Sequence, residues 1–386
     1  MDNIKLEVCA WGTVKHPKTG QSEIVKKFTW TNEKSKVKIE VISYGVIIKS
    51  INIPDKHGKV QDVALGFDSI EGYLRSDNPY FGALIGRVAN RVGNGIIKIQ
   101  NEQINVTKNH GNKHQLHGGF IGFDKYNWKS CVNDNEKSVT FSHLSLDGDE
   151  GYPGDLLTTC TVSLDDENKL CLVIKAHSTQ PTPVNLTNHS YFNLAGHEMG
   201  AKEIYNHVVS INADKITETD GDSIPSGKLL EVGGTPYDLR VPTKLGPALA
   251  KLSTFGFDDN FCVTKTTKNQ EISFLSRVFH ENSGRFLEVY SNQPGVQFYT
   301  SNYMPDPNDT IHPEGNKKLS SPNKAASIPG KHGAKYQKHG AFCLETQKFP
   351  DATNHSNFPD TIVVPGKEYN HIVIYKFGLR DVNKII

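Results

Sequence analysis

The chain has 386 residues, with 43 Lys+Arg against 42 Asp+Glu and a formal net charge of +1. This balance excludes the strongly basic face that nucleic-acid binding needs. No run approaches the ~18 consecutive apolar residues of a membrane-spanning helix, so neither nucleic acid nor membrane is expected as a partner.

The opening residues carry an early acid, Asp2, and no apolar core, so no signal peptide is expected. Six scattered cysteines (Cys9, Cys131, Cys160, Cys171, Cys262 and Cys343) include no C-x-x-C pair. They read as reduced thiols of a cytoplasmic protein rather than a disulfide framework. Period-two alternation begins at Val37, Ile39 and Val41, set against Lys38 and Glu40. It returns at Cys160, Val162 and Leu164, at Leu170, Leu172 and Ile174, at Leu287 and Val289, and in the last run, 371–377. Such runs predict half-buried antiparallel strands. Turn pairs punctuate them: His57-Gly58, Asn94-Gly95, Asp147-Gly148, Asp220-Gly221 and Pro365-Gly366. Helical signals are short and confined to 68–76, with Asp68 or Ser69 as cap, and 246–253. The fold class predicted is mainly β, a large antiparallel sandwich. Neither an internal repeat nor a clean linker interrupts it, so residues 1–386 read as one domain. The segment 304–338, rich in Pro, Lys, Asn, Ser and Gly, reads as a flexible insertion.

Four polar clusters interrupt the strands. In 78–93, Arg87 is expected to tie loops together through backbone carbonyls, whereas Asn90 and Arg91 offer donors suited to neutral hydroxyls. In 115–128, His117 precedes Gly118-Gly119, a pair that lets a ligand approach the backbone; Trp128 and the phenylalanines read as a wall or as core. His110, His114 and His117 have loose metal-like spacing but no matching carboxylate or cysteine, so a zinc site is not expected. In 183–196, Asn185, Thr187, Asn188, His189, Ser190, Tyr191 and Asn193 crowd hydrogen-bonding side chains among apolar ones, a set suited to a polyhydroxylated ligand. His189 is the natural proton carrier there. The fourth cluster, 256–261 with 293–302, adds Asp258, Asp259 and Gln297.

Residues 341–355 then place one acid, Glu345, in an otherwise neutral strand-like run. Burial would raise the pKa of such a carboxylate toward working pH, as a general base requires. No nucleophile elbow, Walker loop or Rossmann glycine signature accompanies these groups. The set favours acid–base chemistry on a hydroxylated substrate, without a cofactor or metal.

The same runs resemble the galactose mutarotase (aldose 1-epimerase) family. They are Asn78–Arg91, Leu116–Gly119 with Gly122–Lys125, Asn185–Leu194, Gly256–Phe261, Pro294–Asn302 and Phe342–Gln347, with Pro365–Tyr369 at the close. The resemblance implies one large β-sandwich and interconversion of the α- and β-anomers of hexoses such as galactose and glucose. It implies Glu345 as general base and His189 as general acid, and sugar-binding roles for Asn90, Arg91, His117, Asp258 and Gln297. Ser190 and Tyr191 follow the acid in a stretch it places along the site. Asp258 matches the family position rather than Asp259. His189 is then expected to be charged while Glu345 is ionised, giving a bell-shaped pH profile. The expected partner is a small hexose, and the expected state a monomer or weak dimer. Rival readings are a hexose-6-phosphate 1-epimerase, a non-catalytic sugar-binding protein of the same fold, a structural interaction module, and a glycoside hydrolase using Glu345 with Asp258.

Overall fold

The computed structural model describes residues 3–100, 102–264, 271–306 and 326–380. Three antiparallel sheets carry the architecture. The alternating strands anticipated from sequence form them, with bounds Val37–Ile42, Leu156–Leu164, Lys169–Ser178, Arg285–Ser291 and Tyr369–Leu379. A five-stranded sheet meanders in chain order from Ile4–Lys15 to Val60–Asp62. The largest sheet has nine strands; Tyr369–Leu379 lies at its centre, between Lys169–Ser178 and Arg285–Ser291. The third runs Tyr191–Phe192, Phe342–Gln347, Gly295–Tyr299, Asp258–Val263, Ala213–Thr219, Pro225–Glu231.

One hydrophobic core joins all three. Phe28, Trp30 and Ile39 of the five-stranded sheet, Leu172, Val289 and Tyr375 of the nine-stranded sheet, and Phe261, Phe298 and Leu344 of the six-stranded sheet belong to the same buried cluster. Helices are short: Ile70–Tyr73, Gly200–Ile204 and Leu245–Leu249. The first falls inside the predicted stretch 68–76 and the third overlaps 246–253, starting one residue before it; Ser69 is the N-cap of the first without a side-chain capping bond. No helix among the described residues is long and apolar enough to cross a membrane. All six cysteines are unpaired.

The core explains several polar residues as structure. Arg87, 2% exposed, donates to the carbonyls of Ser145, Leu146, Pro153 and Gly154 at 2.9–3.2 Å, the loop-tying role expected of it. Trp128 is core, its indole N–H bonded to Phe123 O. Of the predicted insertion, residues 307–325 lie outside the described residues. The part that follows is not irregular loop: Ile328–Pro329 pairs with Lys335–Tyr336. Between them the Lys331 ammonium is buried against Asp62 Oδ2 at 2.5 Å and the carbonyls of Lys49 and Ala64.

Candidate active site

Period-two geometry splits the six-stranded sheet into two faces. Phe342, Leu344, Phe298 and Phe261 point into the core. Cys343, Glu345, Gln347, Gln297, Tyr299 and Asp258 take the opposite face, and the register aligns them in rows. Tyr191, Cys343, Tyr299 and Asp258 follow one another across four strands. Glu345, Gln297 and Asn260 form the next row. These pairings join residues that are far apart in the chain.

That face floors a cleft of about 190 Å³ lined by Tyr191, Asp258, Gln297, Tyr299 and Glu345 from the sheet. Pro79, Tyr80, Asn90, Arg91, His110, Leu116, His117, His189 and Tyr303 complete the walls. Asn90 and Arg91 are fixed against His117 by a short antiparallel contact, Arg91–Val92 with Gln115–Leu116. Asn90 N donates to His117 Nδ1 at 3.2 Å, and His117 N donates back to Asn90 O at 2.9 Å. Tyr80, Asn90 and His117 all hold left-handed backbone conformations, with φ between 52° and 64°. Non-glycine residues rarely adopt this region, and such outliers gather at functional sites. Gly118, at φ 83°, is required for a reason other than ligand approach: a Cβ there would lie 2.0 Å from Gly86 O.

The polar floor is a relay of amides. Gln347 Nε2 donates to Asn260 Oδ1 and to Gln297 Oε1, both at 3.1 Å. This turns Gln297 Nε2 toward Asp258 Oδ1, at 2.9 Å. Arg91 Nη1 stands 3.8 Å from the other Asp258 oxygen. Asp258 therefore faces the cleft as an ordered acceptor. Its neighbour Asp259 is not among the lining residues; burial and the Asp258 charge push its carboxyl up to about 7.

His189 Nε2 lies 3.6 Å from Glu345 Oε2, with both side chains about 5% exposed or less. The imidazole stacks on Tyr191, ring centroids 4.9 Å apart, and meets the His117 ring edge-on at 5.2 Å. Burial pushes the Glu345 carboxyl well above its ordinary range, with Asp258 adding and Arg91 opposing. Burial likewise lowers His189, to about 3. His117 is held well below the usual imidazole range by burial and by the nearby His189 and Arg91. The expectation of a charged His189 beside an ionised Glu345 is thereby revised. At these buried positions each group is favoured neutral, so the pair's single proton is favoured on Glu345.

Eight of the nine sequence-predicted site residues converge: Glu345, His189, Asn90, Arg91, His117, Tyr191, Asp258 and Gln297. Ser190 does not join them. Its hydroxyl donates to Asn188 Oδ1 at 2.6 Å, away from the cleft. The amides of 183–196 are likewise taken up by the fold rather than by a ligand. Asn185 bonds the Lys348 backbone, Asn188 bonds Gly82 O, and Asn193 bonds Gly340 O. Tyr80, Tyr299, Tyr303, Leu116 and Pro79 line the cleft without having been singled out from sequence, and His110, weighed there only as a metal ligand, lines it too.

Comparison with known proteins gives a consistent picture. The aldose 1-epimerase family profile matches residues 26–376. A galactose mutarotase of Bos taurus is 42% identical over 355 residues, covering 92% of this chain and 94% of that protein. An aldose 1-epimerase of Escherichia coli K12 is 30% identical, covering 88% and 91%. The crystal structure of a C. elegans GalM/aldose epimerase homologue superposes with a TM-score of 0.78 at 29% identity, over 90% of this chain and 97% of that one.

Proposed function

This chain belongs to the aldose 1-epimerase family, and from that premise we propose that it interconverts the α- and β-anomers of D-galactose and D-glucose. The observation that carries the reading is the buried Glu345–His189 pair, 3.6 Å apart at the floor of a cleft walled by hydroxyl-binding groups.

The chemistry asks for one proton acceptor and one donor on the same sugar. One member of the pair takes the proton of the C1 hydroxyl while the other delivers a proton to the ring oxygen. The C1–O5 bond opens to the aldehyde, rotation about C1–C2 exposes the other carbonyl face, and closure reverses the roles. The proton count of the pair is one throughout. Glu345 acts first as base once its proton has passed to His189 across the short gap between them. Arg91, which favours the ionised Glu345, assists that transfer. Each proton transfer contributes on the order of 10²–10⁴-fold. Asn90, Arg91, His117, Asp258 and Gln297 hold the ring hydroxyls, and the tyrosine rings face its C–H surfaces.

All of these groups come from one chain, so a single copy suffices, and we read the protein as a monomer or weak dimer. The six free thiols suit the cytoplasm. Arg91, the arginine of the cleft lining, faces Asp258, an arrangement that suits a neutral sugar better than a phosphorylated one.

The test is polarimetry of freshly dissolved α-D-galactose and α-D-glucose with purified protein. We expect decay to the equilibrium rotation much faster than in buffer. A rate equal to buffer for both sugars would overturn the reading.

A further inference from the structure

Cys343 has no part in the proton transfers above, yet it touches both proton carriers' surroundings. It shares the cleft face of its strand with Glu345, two residues on, and its Sγ lies 3.7 Å from His189 Nδ1. One donor atom from each of His189, Cys343 and Glu345 falls within 4.8 Å of the other two, and all three side chains are buried. A thiolate, an imidazole and a carboxylate are the ligand types that zinc takes, at about 2.0–2.3 Å. In a tetrahedral site those bond lengths set donor atoms roughly 3.3–3.8 Å apart. His189 meets Cys343 through Nδ1 at 3.7 Å and Glu345 through Nε2 at 3.6 Å, and with one donor atom from each residue within 4.8 Å of the others, a turn of the ring would offer one nitrogen to an ion held by both neighbours. His189 and Glu345 line the cleft, which gives an entry path and leaves a fourth position for water or a sugar hydroxyl.

We propose that His189, Cys343 and Glu345 form an inhibitory site for a zinc-class divalent cation, which competes with the sugar by occupying both proton carriers. The Cys343 thiol proton and the proton resting on Glu345 both leave to solvent as the ion binds. The competition rests on the proposed reaction; the site itself does not.

The experiment titrates zinc chloride into the intact protein by calorimetry and, in parallel, into the polarimetric assay. Cobalt chloride serves as a spectroscopic stand-in. Tight binding of one zinc per chain is expected, with inhibition competitive with sugar and reversed by a chelator. Cys343→Ala should weaken zinc binding, and inhibition relative to its own metal-free rate, by at least about tenfold. It should also abolish the thiolate-to-cobalt charge-transfer band. Cys131→Ala, on an exposed strand of the nine-stranded sheet, should change none of these. Should the alanine variant fail to fold, Cys343→Ser carries the same expectations. Equal zinc affinity in wild type and the Cys343 variants, or the absence of a thiolate band in wild type, would overturn the site. Zinc bound through Cys343 by a protein without mutarotation would instead sink the proposed reaction.

Discussion

The two faces of the strand Phe342–Gln347 are built from alternate residues of one sequence, yet they do opposite work. Phe342 and Leu344 are 0% and 1% exposed in the hydrophobic core. Thr346 on that face shares a hydrogen bond between its hydroxyl and His371 Nε2 at 2.7 Å, tying the strand to the nine-stranded sheet. Cys343, Glu345 and Gln347 are as deeply buried, but they face the cleft and its polar relay. Burial on the core face lowers the energy of the fold. On the cleft face the same exclusion of water moves Glu345 and His189 away from their ordinary protonation and places them where a proton can pass between them. One face should therefore report on stability and the other on turnover, and variants can separate them.

The largest separation should come from Glu345→Gln. It keeps the side-chain volume and removes the proton carrier, so kcat should fall on the order of 10³-fold while galactose binding by calorimetry and Tm stay near wild type. Unchanged kcat would sink the role given to Glu345. Leu344→Ala, one residue away, should behave in reverse. Denaturant unfolding should record a loss of about 2–5 kcal/mol from the cavity, with kcat/KM of the folded fraction largely retained. A Leu344→Ala protein that loses turnover without losing stability would contradict the division of faces. A smaller effect is expected from Gln347→Leu, which removes the donor that orients Gln297 toward Asp258. One such hydrogen bond is worth about 1 kcal/mol, so KM should rise about fivefold with kcat nearly unaltered.

The same contrast explains what the sequence disclosed. Alternation of period two is a local signal, so the strands, and a single acid in an apolar run at Glu345, were legible from neighbours alone. The motif resemblance supplied the residues that alternation could not connect: Asp258, Gln297 and Glu345 meet through cross-strand register, which is set by long-range pairing. Ser190 shows a local signal left unused. His189 and Tyr191 are two apart and both face the cleft, so the residue between them must turn the other way. Tyr80, Tyr299 and Tyr303 were missed because an aromatic side chain has the same appearance in core and in cleft. The roles expected for the 183–196 amides failed for another reason: buried backbone groups need partners, and the fold claims side-chain amides first.

The central claim is that the buried Glu345 and His189 share one proton, and the pH dependence of kcat/KM tests it most directly. His189 is lowered to about 3, so the pair gains a second proton only in strong acid. Glu345 is raised, so the last proton leaves only well above the ordinary carboxylate range. The one-proton form should span a broad plateau, its acid limb below and its alkaline limb well above the ordinary carboxylate range. A narrow bell with limbs near 4.3 and 6.5, the values of an unperturbed glutamate and histidine, would contradict it.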